Sequence, residues 1–135
     1  MSKKVIKVAG AVICNSLRNK NAVLATVRGY GDYKGYWEFP GGKLEKGETS
    51  EQALIREIRE ELNVTIVVDK LIKTIEYDYP NFHLSMDCYW CEIVGGNFKL
   101  VEALDYKWVT KNDLYSLKWM PADVGLLDMI NETLN

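Results

Sequence analysis

Residues 4–14 (KVIKVAGAVIC) and 22–28 (AVLATVR) are dense in β-branched and small apolar residues, which predicts two strands. The polar NSLRNKN between them reads as a hairpin-like connection. GYGDYKGY (29–36), with its glycines and tyrosines, predicts an irregular loop, followed by a short extended Trp37-Glu38-Phe39. Pro40 restricts Phe39 to extended geometry, and Gly41 and Gly42 then allow a turn. Periodicity changes at Thr49, which with Gln52 three residues on forms a capping box. On a helix turning about 100° per residue, Leu54, Ile55, Ile58 and Leu62 fall on one predicted core-facing stripe. Asn63 suits a left-handed C-terminal residue. VTIVVDKLIKTIEYDYP (64–80) and FHLSMDCYWCEIV (82–94) alternate and meet at Pro80-Asn81, which predicts a long antiparallel pair. Phe82, Leu84, Met86, Cys88 and Trp90 should share one face of it. Gly95-Gly96 turns the chain. A short strand is expected at 103–109 and short helical structure at 111–117. A final helix over 121–134 is marked by Pro121 and by Val124, Leu127 and Ile130. Strands on either side of one helix, then a last helix, imply an α/β fold with a mixed sheet between helices, in one domain over 1–135.

The same helix wheel puts Arg56, Glu57, Glu60 and Glu61 on one contiguous face beside the apolar stripe. Like charges three and four residues apart each cost a helix about 0.2–0.5 kcal/mol, and acids near a helix C-terminus oppose its dipole. Two readings stand. The face is solvated and paired with Arg56 and Arg59, or it holds a hard cation of the Mg²⁺ or Mn²⁺ kind that carboxylate oxygens favour. The glycine turn supports the cation, because it brings backbone groups beside the acids, where the Gly41 carbonyl would add a ligand. Metal gathered there would in turn hold phosphate oxygens that the acids alone repel.

Composition narrows the options. A net charge of −2 gives no electrostatic case for binding a nucleic-acid polymer. No apolar run reaches the length of a membrane span, and the N-terminus lacks a signal-peptide core, so a cytoplasmic protein is expected. Three cysteines argue against a disulfide framework. Cys88 and Cys91 form a C-x-x-C, but on a strand their thiols point to opposite faces, so they are expected to fill the core.

Gly42, Glu48, Arg56, Glu57, Ile58, Glu60, Glu61 and Val64 stand at the spacings of the Nudix box, and only its final glycine is changed, to Asn63. The chain resembles Nudix hydrolases of the MutT-like branch, and WEFPGGKLEKGET, EYDYPNFHL and MPAD extend the likeness over most of its length. The resemblance implies the Nudix α/β/α sandwich and Mg²⁺-dependent release of nucleoside monophosphate and pyrophosphate from a (deoxy)nucleoside triphosphate, with Mn²⁺ a possible substitute. It implies metal binding by Gly41, Glu57, Glu60, Glu61 and Glu102, with Glu57 and Glu60 the candidates for general base. Arg56 would orient the acids, with Glu48 supporting it. Arg28 and Lys43 are candidate phosphate contacts, and Phe39, Tyr79, Phe82 and Asp123 the candidate base pocket.

Relatives that remove 8-oxo-dGTP carry Asn at the position of Asp123 and Arg at that of Phe82. An ionised Asp123 only accepts hydrogen bonds and suits the cytosine amine, as in relatives that take CTP, whereas a protonated one also donates and readmits an oxidised purine. Alternatives are a pyrophosphatase of ADP-ribose or another nucleotide sugar, and a non-catalytic nucleotide-binding domain. The expected partner is a small nucleotide, and the chain is expected to be a monomer or homodimer.

Overall fold

In a computed structural model that describes residues 3–135, four strands precede the first α-helix, and three more strands and two short α-helices follow it. Strands β1 (Lys4–Ile13), β4 (Gly41–Lys43), β5 (Val64–Asp78) and β6 (Phe82–Gly96) form a sheet in the order β4-β1-β6-β5. The sheet is mixed: β1 runs parallel to β6, while β1–β4 and β5–β6 are antiparallel. Strands β2 (Ala22–Val27), β3 (Trp37–Glu38) and β7 (Tyr106–Thr110) form a second, antiparallel sheet in the order β3-β2-β7. The hairpin-like connection expected between the first two strands is therefore reduced to one bridge, Cys14 to Val23, and β1 and β2 then diverge into separate sheets.

The alternation along β1 explains the layering. Ala9, Ala11 and Ile13 pack with Leu54, Ile58 and Leu62 of helix α1 (Ser50–Leu62) in one core. Val12, on the other side, joins Met86, Cys88 and Trp90, against which Phe82 and Leu84 also pack, so the face predicted for β6 is present. Leu126, Leu127 and Ile130, in and just before the terminal helix α3 (Leu127–Thr133), complete that second core. Helix α1, the strands and the C-terminal helices make three layers. Cys88 lies in one core and Cys91 in the other, and burial pushes both thiols well above the usual range, which suits core filling and not redox chemistry.

Three local expectations change. Ile55 is 43% exposed, while Ala53 is buried, so the inward face of α1 is rotated toward the acids. The predicted 121–134 helix is two pieces, α2 (Pro121–Val124) and α3, interrupted at Gly125 and Leu126, and Val124 is exposed. Residues 114–116 form a single 3-10 turn in place of a helix.

Both ends of α1 carry the devices that the sequence announced. The Thr49 side chain accepts from the Gln52 N–H at 3.1 Å, and the Gln52 side chain accepts from the Thr49 N–H at 3.0 Å. At the other end Asn63 adopts φ 57°. The segment after β6 then closes on the helix end: Asn97, Lys99 and Val101 donate backbone N–H groups to the carbonyls of Asn63, Leu62 and Glu61. The Asn63 side chain donates to the Asn97 carbonyl at 2.9 Å. These bonds satisfy carbonyls that a helix terminus otherwise leaves to water. Asn63→Ala is expected to cost about 1–2 kcal/mol in urea unfolding, since alanine resists left-handed backbone and drops the Asn97 contact. Asn63→Gly should cost clearly less.

Candidate active site

Strand β4 is the floor of the site, and its two glycines are required by their neighbours. A Cβ at Gly41 would overlap the Ala9 carbonyl of β1, and one at Gly42 would overlap the Glu57 carboxyl of α1. Two successive glycines let β4 pass close to both β1 and the acidic turn of the helix.

The helix presents its acids unevenly. Arg56 sits at the centre of a fan of carboxylates. Its Nε donates to Glu48 Oε2 at 2.7 Å and its Nη2 to Glu48 Oε1 at 2.8 Å, a bidentate pair. Its Nη1 donates to Glu57 Oε1 at 2.9 Å and to Glu60 Oε2 at 3.3 Å, and its Nη2 also reaches the Lys43 carbonyl at 3.1 Å. Arg56 thereby ties β4, the following loop and α1 together, and its hydrogen bonds hold the Glu48 carboxyl down at about 2. Glu57 is largely covered, whereas Glu60 is exposed.

Glu61 is the odd member. Burial, followed by the charges of Glu57, Glu38 and Glu102, pushes its carboxyl up to about 8. Among the described residues it makes no ion pair. Glu102 is delivered by the segment whose Val101 N–H binds the Glu61 carbonyl. A cluster of hard carboxylate oxygens with too little positive charge is the donor set of a divalent cation such as Mg²⁺. Glu57, Glu60, Glu61 and Glu102, with the Gly41 backbone, could hold it. Among the described residues no three acidic, imidazole or thiol groups converge on one point, and Glu57 and Glu60 are hydrogen-bonded to Arg56. A cation would share Glu57 with that guanidinium.

The acids open onto a cleft of about 480 Å³ whose lining includes Gly41, Gly42, Lys43, Glu61 and Glu102 at one end. Phe39, Tyr79, Phe82, Asp123, Arg28 and Glu38 line the same cleft. Of the residues singled out from the sequence, Glu48, Arg56, Glu57 and Glu60 stand just outside that lining, in the Arg56 fan. Tyr79 and Phe82 stack at 5.1 Å, and Tyr33 meets Tyr79 edge-on at 5.6 Å. Phe39 stacks on Trp119 at 4.6 Å.

Asp123 is buried in the cleft wall, and its Oδ2 accepts the Phe39 N–H at 3.1 Å. Burial, then Glu38, pushes its carboxyl up to about 8 against the opposing pull of the Phe39 N–H and Arg28. Burial thus favours the protonated form of Asp123, which is donor and acceptor together.

Sequence reasoning missed Glu38. It clamps Arg28 through Nε at 3.2 Å and Nη2 at 2.7 Å, and its charge reaches both Glu61 and Asp123. Its signal was present in the alternation of β3, where Glu38 lies between two aromatic residues, but nothing local marked it as facing the cleft. Tyr33, on the loop expected to be irregular, was missed for the same reason.

Fold and site together define an α/β/α protein with an acidic, glycine-floored cleft that continues into an aromatic pocket. The family model described as NUDIX domain matches residues 6–129, and the chain belongs to that family, whose members generally use divalent metal ions. An 8-oxo-dGTP diphosphatase of Haemophilus influenzae is 35% identical over the whole of this chain and 98% of its own length. A CTP pyrophosphohydrolase of Escherichia coli is 29% identical, over 93% of this chain and 90% of that protein. Among solved structures, a MutT protein of methicillin-resistant Staphylococcus aureus superposes with a TM-score of 0.73 at 34% identity, covering 96% of this chain and 98% of that one.

The Asp123 carboxyl gives a pH test with a definite sign. Its folded value lies above the unfolded value of about 3.9, so the unfolded chain loses the proton first, and stability falls as pH rises from about 4 to 8. Asp123→Asn keeps an acceptor for the Phe39 N–H without that titration. In urea unfolding its stability relative to wild type should improve steadily between pH 5 and pH 8.

Proposed function

We propose that this protein is a Mg²⁺-dependent pyrophosphohydrolase of (deoxy)nucleoside triphosphates, with Mn²⁺ able to substitute, which clears modified or surplus nucleotides from the cytoplasmic pool. The observation that carries the reading is the continuity of one cleft, with acids and a glycine floor at one end and a base-sized aromatic pocket at the other. The names of the H. influenzae and E. coli relatives agree with it. The three buried, free thiols suit a reducing compartment.

In this reading Glu57, Glu60, Glu61, Glu102 and the Gly41 carbonyl hold the cation. The bound cation supplies Lewis-acid polarisation and neutralises charge on the phosphates. Arg56, fixed by Glu48, aligns Glu57 and Glu60. Glu57 or Glu60 takes the proton of a water whose oxygen bonds to a phosphorus of the triphosphate chain, and the bond from that phosphorus to the bridging oxygen breaks. Nucleoside monophosphate and pyrophosphate leave. Lys43 and Arg28 face the phosphates, Arg28 held in place by Glu38.

The base lies between Phe39 and the Tyr79–Phe82 pair, with its edge toward Asp123. A neutral Asp123 offers one donor and one acceptor, which matches the N3 and amine of cytosine and equally the O6 and N7–H of an 8-oxoguanine. The pocket therefore takes bases that present an adjacent donor and acceptor.

Pyrophosphate release from a panel of nucleotides tests this. The wild type should turn over dCTP, CTP or 8-oxo-dGTP only with Mg²⁺ or Mn²⁺ present, and absence of turnover on every triphosphate would sink the proposal. Glu57→Gln and Glu60→Gln should each lose at least about a hundredfold in kcat, the scale of an essential electrostatic or proton-transfer group, with the fold intact by circular dichroism. Asp123→Asn, whose amide also offers a donor and an acceptor, should keep the base preference of the neutral carboxyl and leave the Mg²⁺ dependence unchanged, whereas Asp123→Ala should flatten the preference.

A further inference from the structure

Tyr79 ends the long β5–β6 hairpin, and its ring is fixed from several sides. Phe82 stacks on it at 5.1 Å, Tyr33 meets it edge-on at 5.6 Å and Tyr77 lies 4.7 Å away. The backbone is tied as well, since the Tyr79 N–H donates to the Phe82 carbonyl and the Tyr79 carbonyl accepts from Lys3 Nζ at 2.9 Å. The residue is 5% exposed, so its hydroxyl has little freedom of position.

That hydroxyl reaches across to α2 and accepts the Ala122 backbone N–H at 3.3 Å. Ala122 precedes Asp123 and is the second residue of α2, where the N–H has no helix carbonyl to donate to, whereas the Asp123 and Val124 N–H groups bond to the Met120 carbonyl. The hydroxyl thus latches the hairpin tip to the turn that aims Asp123. A phenol both accepts and donates. Its own proton finds no acceptor among the described residues, although Tyr79, Asp123 and the cleft adjoin one another.

We propose that the Tyr79 hydroxyl is a specificity-determining group: it positions Asp123 through Ala122 and donates its proton to an acceptor atom on the base edge. Together with Asp123 it makes a two-point reader. Asp123 handles an adjacent donor–acceptor pair, and Tyr79 supplies a further donor for a carbonyl oxygen or unprotonated ring nitrogen. This rests on the cleft being a nucleotide site and adds what that site demands of the base. The ring alone would stack any base, whereas the hydroxyl discriminates.

The test is calorimetric binding of 5′-monophosphates in Mg²⁺, so that it does not depend on turnover. The probes are dCMP, dTMP, dAMP, dGMP, 8-oxo-dGMP and the abasic 2-deoxyribose 5-phosphate, titrated into wild type and Tyr79→Phe. Phenylalanine keeps the ring and its stacking, and thermal melting verifies the fold. The variant should weaken the preferred base by about three- to tenfold, the range of one neutral hydrogen bond, and leave the abasic probe unchanged. Equal weakening of the abasic probe would reduce Tyr79 to a structural role and overturn the proposal. So would unchanged base preference in the variant, or wild-type protein that binds no nucleotide or does not distinguish among bases. Wild type that binds selectively but hydrolyses nothing would count against the hydrolase reading alone.

Discussion

A half-buried carboxylate without a counter-charge is the constraint on which this structure turns. Glu61 lies half-buried at the end of α1, and Glu57, Glu38 and Glu102 add to its unfavourable field. Charge in that situation is stabilised only by protonation or by a cation. The nearby guanidinium of Arg56 is already engaged by Glu48, Glu57 and Glu60, and that of Arg28 by Glu38. The fold therefore concentrates negative potential in the cleft while keeping the guanidinium groups of Arg56 and Arg28 occupied.

The rest of the architecture serves to make that concentration rigid. Two glycines let β4 slip between the Ala9 carbonyl and the Glu57 carboxyl, so floor and acids touch directly. Arg56 spans strand, loop and helix with bonds to the Lys43 carbonyl and three glutamates. The segment from Asn97 to Val101 closes the C-terminal end of α1 and carries Glu102 beside Glu61. Each device also satisfies polar groups that burial would otherwise leave bare, so stability and site geometry depend on the same bonds.

At Asp123 the logic is inverted. That residue is buried in the cleft wall and held by the Phe39 N–H, and its burial favours the neutral form. One cleft thus presents acids suited to a cation and an acid suited to hydrogen bonding. The difference comes from surroundings and not from residue type. Glu38 couples the two ends through its field, and its pairing with Arg28 limits how strongly.

Much of this could be read from the chain alone because it is encoded locally. The capping box at Thr49 and Gln52, the left-handed Asn63, the face shared by Phe82, Leu84, Met86, Cys88 and Trp90, and the spacing of the box acids depend on neighbours a few residues away. The division into two sheets was not legible, because β1 and β2 are equally apolar and only long-range pairing with β6 and β7 separates them. The break in the last helix, the exposure of Ile55 and the roles of Glu38 and Tyr33 likewise depend on contacts between distant segments. The sequence determined which acids cluster, through helical period. Tertiary structure decided which of them are buried and which ionise readily, because desolvation and through-space charge depend on what packs against a group, and local sequence does not specify that.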